Sequence, residues 1–182
     1  MAIMAQTDSE LVVLLDDRRQ PIGTAPKSTV HTASTPLHLA FSCHLLDAHG
    51  RMLVTRRALS KIAWPGVWTN ACCGHPAPGE SMESAVRRRL QHELGVDVEG
   101  LELALPDFAY RAVDASGIVE NEVCPVFVGR VAGELRPAAA EVAEWQWVEP
   151  ERLQAGLRAT PWAFSPWLVL QAEQLPVLAG AA

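Results

Sequence analysis

Two stretches near the start of the chain, residues 10–16 and 37–46, are rich in Leu, Val and Phe and end in turn-forming residues, at 17–23 and at Asp47-Ala48-His49-Gly50. This is the pattern of half-buried strands. It predicts a third strand over 51–57, paired to 37–46 through the Asp47–Gly50 turn. The period then changes. Between Glu80 and Leu94, residues Met82, Ala85, Val86, Arg89, Leu90 and Leu94 follow the i, i+3, i+4 spacing of one helix face, and Gly95 stops the run. Beyond it, 101–113, 118–131 and 144–148 again read as strands, followed by a helix led by Pro150 and a shorter helix over 167–174. Strands around one long central helix predict an α+β fold with mixed β-sheets.

Composition narrows the class. The chain has 182 residues, 49% hydrophobic and 20% charged, with no repeat or low-complexity linker, so a single domain over 1–182 is expected, with 1–9 and 177–182 mobile. Its 15 Lys+Arg against 21 Asp+Glu leave a formal charge of −6 and no basic block, which argues against a nucleic-acid partner. The longest apolar runs, such as 11–15, fall far short of the roughly 18 residues of a membrane span. Asp8 and Glu10 lie where a signal peptide would be basic, so a cytoplasmic location is expected. Cys43, Cys72, Cys73 and Cys124 include an adjacent pair, poor spacing for a disulfide framework, and are expected to be free thiols.

Chemistry concentrates in a few segments. In Val119-Glu120-Asn121-Glu122-Val123, residues two apart share a strand face, so Glu120 and Glu122 would be paired carboxylates. A metal ion between them, or a proton retained on one, would relieve their repulsion. A solvent-facing strand edge is the plain alternative. His31, His38 and His75 could complete a five-ligand set of imidazoles and carboxylates suited to a first-row divalent ion such as Mn²⁺ or Zn²⁺, although each histidine taken singly reads more readily as a surface or hydrogen-bonded core residue. His44, His49 and His92 receive no functional role. Arg56-Arg57 and Lys61 cluster beside Trp64-Pro65-Gly66-Val67-Trp68, and Arg87-Arg88-Arg89 lie on the helix. An anionic phosphate ligand would explain such clustering on an acidic protein, and solvated surface charge is the competing account.

The helix segment reads Gly74-x5-Glu80-x7-Arg88-Arg89-Leu90-Gln91-His92-Glu93-Leu94-Gly95-Val96. It resembles the Nudix box, G-x5-E-x7-R-E-U-x-E-E-x-G-U with U apolar, in all its spacings. Arg89 and His92 stand where two box glutamates are expected, and only Glu93 remains of the trio. Nudix hydrolases use those carboxylates to hold metals, so this departure implies fewer metal ions and poor phosphoanhydride hydrolysis. That departure comes with further motifs: His31-Thr32-Ala33, Leu37-His38-Leu39-Ala40-Phe41, Thr55-Arg56-Arg57-Ala58-Leu59-Ser60-Lys61, Trp64 to Asn70, Cys73-Gly74-His75-Pro76 and Glu120 to Phe127. Together they resemble the type I isopentenyl diphosphate isomerases over about residues 12–174.

The resemblance implies a Nudix-like fold and the interconversion of isopentenyl and dimethylallyl diphosphate by moving a double bond. By motif position it implies His31, His38, His75, Glu120 and Glu122 as ligands of one divalent ion, Mn²⁺, Zn²⁺ or Mg²⁺. Glu93 would bind a Mg²⁺ that bridges to the diphosphate, and Lys27, Arg57, Lys61 and Arg89 would contact its oxygens. Cys73 and Glu122 match the catalytic pair, with Tyr110 hydrogen-bonded to the same carboxylate and Trp167 facing a tertiary carbocation. From the residues alone, Cys72 is equally a candidate for the reactive thiol. A Nudix-type diphosphate hydrolase and a catalytically inactive binding scaffold are the competing functions. Both a monomer and a homodimer are compatible with the sequence.

Overall fold

The computed structural model describes residues 10–179. The chain runs through β1 (Leu11–Leu15), β2 (Pro21–Pro26), a single helical turn α1 (Lys27–Val30), β3 (His38–Leu39), β4 (Phe41–Leu46) and β5 (Met52–Arg57). It continues through β6 (Trp68–Thr69), β7 (Cys72–Gly74), α2 (Met82–Leu94), β8 (Asp97–Leu105), β9 (Ala109–Val113), β10 (Val119–Val123), β11 (Val126–Ala132) and β12 (Val142–Val148). The helices α3 (Pro150–Ala159), α4 (Pro166–Ala172) and α5 (Pro176–Ala179) close it. One sheet has the order β2-β1-β3-β10-β9 and the other β12-β5-β4-β11-β8, with β6 on β5 and β7 on β4.

The second sheet divides the core because strand residues alternate between faces. Phe41, Cys43, Leu45 and Leu53 pack with Val86, Leu90 and Leu94 of α2. On the opposite face Met52 and Val54 join Leu153, Leu157, Trp167 and Leu168 of the C-terminal helices. Helix α2 begins at Ser81, whose hydroxyl accepts from the Ser84 amide at 3.2 Å, and ends at Gly95 in the left-handed region, φ 66°. Its buried face contains two charged residues, Arg89 and Glu93, among Ala85, Val86, Leu90 and Leu94. Gly74 lets β7 lie directly against this face: a Cβ there would fall 2.8 Å from Arg89 Cγ and 2.9 Å from Phe41 Cζ.

Three expectations change. The 37–46 and 51–57 strands meet only at Leu46 and Met52. They then splay, because β7 pairs with β4 and β6 with β5 in the space between them. Asn70 joins the inserted pieces, its Nδ2 donating to the carbonyls of Cys43 at 3.0 Å and Cys72 at 2.8 Å. The partner of β5 along its length is β12. Second, part of the turn expected over 17–23 already belongs to β2, which forms the hairpin with β1. Third, of the end expected to be mobile, Val177 and Leu178 lie in α5 and Leu178 is buried against the core. Residues 1–9 and 180–182 lie outside the described residues.

Candidate active site

Strand β10 carries Glu120 and Glu122 on one face, and its parallel neighbour β3 sets His38 directly beside Glu122. His31 follows α1 and His75 follows β7, so the histidines arrive from three segments. Their rings converge, with centroids 5.1 to 5.7 Å apart. His75 Nε2 lies 3.1 Å and His38 Nε2 3.4 Å from Glu122 Oε1, while His31 Nε2 lies 3.2 Å from Glu120 Oε2. Both carboxylates are buried, although strand alternation alone leaves a solvent-facing pair equally plausible.

Four buried atoms here have no hydrogen-bond partner: His31 Nε2, His38 Nε2, His75 Nδ1 and Glu120 Oε2. The carbonyl of Pro36, 2.9 Å from His38 Nδ1, takes that ring's N–H. In its neutral form His38 therefore turns a lone pair toward Glu122, whereas with no cation between them burial is outweighed by the Glu122 carboxylate, which raises the pKa of His38 and favours a proton there. Lone pairs facing carboxylate oxygens in a buried space call for a positive charge between them. His31, His38, His75 and Glu122 each offer a donor atom within 4.8 Å of the others, a set that fits a divalent cation. The protein's own charges act in the same sense. Burial and the charge on Glu122 raise the pKa of Glu120, whereas His38 and His75 outweigh burial and hold Glu122 well below the usual carboxylate range. Burial pushes His75 down to about 4, the neutral form a ligand requires.

Beside this cluster opens a cavity of about 480 Å³ lined by Cys73, Tyr110, Glu122 and Trp167. Cys73 is half-buried, Cys72 fully buried in the α2 core, and all four cysteines are free thiols. Burial, with Glu122 nearby, pushes the Cys73 thiol up to about 11, against its hydrogen bonding with Ser42 and Asn70. Cys73 Sγ donates to Asn70 Oδ1 at 3.3 Å. Tyr110 Oη donates to Glu122 Oε2 at 2.9 Å. The indole of Trp167 donates to Asn70 Oδ1 at 3.0 Å, and its ring meets Trp64 edge-on and Tyr110 at a tilt, both 5.6 Å between centroids.

Lys27, Arg57, Lys61 and Arg89 line the same cavity, Arg57 on the side of Trp167. Glu93 and Glu141 line it as well and Glu10 stands at its edge. Lys27 pairs with Glu10 at 2.6 Å and Lys61 with Glu141. Arg89 is buried among Glu93, Glu10 at 3.3 Å and Glu141 at 3.4 Å. The three arginines of α2 separate: Arg87 pairs with Glu83 and Asp97, Arg88 with Glu80, and only Arg89 turns into the cavity. Arg56 likewise pairs outward with Glu144. Reading the sequence missed Glu10, Glu141, Ser42 and Gln171, which lie in no charge cluster and act only through partners distant in the chain. Asn70 lies within one of the quoted motifs, and that position was the one available signal.

The NUDIX domain family matches residues 36–168. Relatives named isopentenyl-diphosphate Delta-isomerase include one from Leifsonia xyli subsp. xyli, 63% identical over 94% of this chain and 94% of its own. Another, from Clavibacter michiganensis subsp. michiganensis, is 62% identical over 93% of this chain and 86% of its own. The chain belongs to the isopentenyl-diphosphate Delta-isomerase family. Solved structures extend the likeness in fold alone. A Deinococcus radiodurans protein shares a TM-score of 0.63 at 19% identity over 82% of this chain and 90% of its own, and a MutT protein from Methanosarcina mazei Go1 a TM-score of 0.56 at 18% over 74% and 88%. This isomerase-family chain thus keeps the α+β Nudix architecture while its box helix presents Arg89 to the cavity. Among the described residues no helix is long and apolar enough to cross a membrane.

Proposed function

We propose that the cavity interconverts isopentenyl and dimethylallyl diphosphate, with Cys73 and Glu122 as the proton-transferring pair. The observation that carries this is that a protonated thiol and an ionised carboxylate from two different sheets line one cavity that also takes in Lys27, Arg57, Lys61 and Arg89. A weakly basic alkene needs an acid held against it, and the neighbouring carbon needs a base. Starting from this protonation state, the Cys73 S–H gives its proton to the terminal alkene carbon, leaving a tertiary carbocation and a thiolate. Glu122 removes a proton from the carbon next to the cationic centre, and those electrons form the new double bond. In the reverse direction the two exchange roles.

Tyr110 fixes the Glu122 carboxylate through its hydroxyl, and the Trp167 ring offers the carbocation an electron-rich face that cannot trap it. Lys27, Lys61 and Arg89, with Arg57, grip the diphosphate and hold the five-carbon unit toward Cys73. His31, His38, His75, Glu120 and Glu122 would hold one divalent ion, and Glu93 a Mg²⁺ that meets the diphosphate. When bound, the first ion would orient the Glu122 carboxylate and the second would neutralise phosphate charge. A cytoplasmic location and a small-molecule isoprenoid diphosphate as the bound partner, in a monomer or a homodimer, complete the reading.

Incubating the metal-replete protein with isopentenyl diphosphate and Mg²⁺ in D₂O, followed by proton and phosphorus NMR, tests it. Deuterated dimethylallyl diphosphate with the diphosphate intact is expected. Release of phosphate or pyrophosphate would mean hydrolysis instead, and an unchanged spectrum would leave a binding scaffold.

A further inference from the structure

Three buried polar residues outside the proposed chemistry form a chain that ends on Cys73. His44 Nε2 lies 2.8 Å from Gln171 Oε1, Gln171 Nε2 donates to Ser42 Oγ at 2.9 Å, and Ser42 Oγ lies 3.4 Å from Cys73 Sγ. Ser42 and His44 alternate with Cys43 on β4, on the sheet face turned to α4, where Gln171 sits. All three are at most 1% exposed, so no solvent competes for these bonds.

Ser42 Oγ meets three polar groups: it accepts the Gln171 N–H and lies 3.4 Å from both Cys73 Sγ and Cys124 Sγ. In the arrangement that satisfies every donor, Cys124 gives its S–H to the second lone pair of Ser42 Oγ and the Ser42 proton goes to the sulfur of Cys73. The Cys73 S–H is already directed elsewhere, to Asn70 Oδ1, because both Asn70 amide hydrogens are spent on the Cys43 and Cys72 carbonyls. Cys73 sulfur therefore receives a fixed donor on its lone-pair side. Were Gln171 to present an acceptor in place of its N–H, the Ser42 hydroxyl would turn toward it and away from the sulfur.

We propose that Gln171, oriented by His44, locks the Ser42 hydroxyl as a donor to Cys73 sulfur, making Ser42 and Gln171 positioning residues for the proton transfer. The inference rests on Cys73 being the acid. Once its proton has moved to the alkene, the sulfur is an anion whose nearest donor is already aimed at it, so stabilisation needs no rearrangement at that moment. His44 acts at one remove, by fixing which end of the Gln171 amide meets Ser42.

The test is a double-mutant cycle on the metal-replete enzyme, reading kcat and KM for isopentenyl diphosphate. Ser42→Ala is expected to lower kcat about 10- to 100-fold, the range for a lost hydrogen bond to a charged group, with KM unchanged, and Ser42→Thr to retain most of it. Gln171→Glu, which offers Ser42 an acceptor, should lower kcat similarly. Added to Ser42→Ala it should cost nothing further, since Gln171 acts only through the hydroxyl. Gln171→Met supplies the same cycle if a buried carboxyl prevents folding. An unchanged kcat in Ser42→Ala, or an equal Gln171 effect with and without the hydroxyl, overturns the inference. Cys73→Ala run alongside separates the two claims: if it retains isomerisation the proposed acid is wrong, and if it is inactive while Ser42→Ala is normal only the positioning chain is wrong.

Discussion

The guanidinium of Arg57 lies over the ring of Trp167, 5.5 Å from its centroid, and is fixed there by the carbonyls of Ala63 at 2.8 Å and Trp64 at 3.0 Å. One face of the indole thus carries a permanent cation. A cation held over an aromatic face gains about 0.5–2 kcal/mol, a factor of up to roughly 30 in rate when that cation forms only in the transition state. Trp167→Phe keeps a smaller face and is expected to lower kcat by less than about 10-fold. Trp167→Leu should lower it further, by up to about 30-fold. Equal activity of the two variants in steady-state assays would remove the ring from carbocation stabilisation.

Cys73 and Cys72 are adjacent in sequence but face opposite ways, the first toward the cavity wall with Ser42 and Asn70, the second into the α2 core. Cys73→Ala and Glu122→Gln are each expected to abolish isomerisation while circular dichroism stays that of the folded protein. Cys72→Ala should keep full activity and lose on the order of 1 kcal/mol of stability from the small void it leaves. Substantial turnover in either of the first two variants would reassign the catalytic pair.

The orphaned nitrogens of His31, His38 and His75 predict metal-linked stability. A ligand that binds only the folded state at 100 times its dissociation constant adds about 2.7 kcal/mol. The chelator-stripped protein should melt several degrees lower, and Mn²⁺ or Zn²⁺ should restore the loss. In His38→Ala the same addition should move the melting temperature little, and bound metal by elemental analysis should fall in parallel. A wild-type melt indifferent to chelator and metal would count against the five-ligand site.

How much of this was legible in the sequence follows from how local each signal is. Helix α2 was readable because its apolar stripe and the Gly95 that ends it all lie within fifteen or so residues. The strands were found but their pairing was not: β5 looks like the simple partner of β4, and only the inserted residues 68–74 and the distant β12 decide otherwise. The clustering of His31, His38 and His75 rests on β3 lying parallel to β10, a contact between segments some eighty residues apart that no short spacing encodes. Charge clusters misled in the opposite way, since Arg87 and Arg88 satisfy themselves on the helix surface and Arg89 alone is buried.

Burial separates the two diphosphate-facing cations Arg89 and Lys61. The Arg89 side chain is 4% exposed and balances Glu93, Glu10 and Glu141, so Arg89→Met strands buried carboxylates. Removing one partner of a buried ion pair costs about 3–5 kcal/mol, and this variant should be poorly folded as well as inactive. Lys61 is 26% exposed with one partner, Glu141. Lys61→Met should fold within about 1 kcal/mol of wild type and chiefly raise KM for isopentenyl diphosphate, with weaker inhibition by inorganic pyrophosphate. Urea unfolding and steady-state kinetics on both variants check the contrast, and an unchanged KM in Lys61→Met would take that residue out of diphosphate binding.

His44 makes the stability of the fold depend on mildly acidic pH. Burial lowers its pKa to about 4, against the hydrogen bond to Gln171 that favours the charged form. The unfolded chain takes up a proton near pH 6.5 while the folded chain resists until about 4, so acid favours unfolding across that window. Stability is fully present above pH 6.5 and is lost progressively as the pH falls toward about 4, by up to roughly 3 kcal/mol from this group. His44→Gln carries an amide in place of the imidazole and has no proton to gain there. Urea midpoints measured between pH 7 and pH 4.5 should therefore fall less steeply in His44→Gln than in wild type, with the two curves converging toward low pH. Parallel curves would mean that His44 is protonated equally in both states, which would require water to reach a ring that the structure keeps 1% exposed.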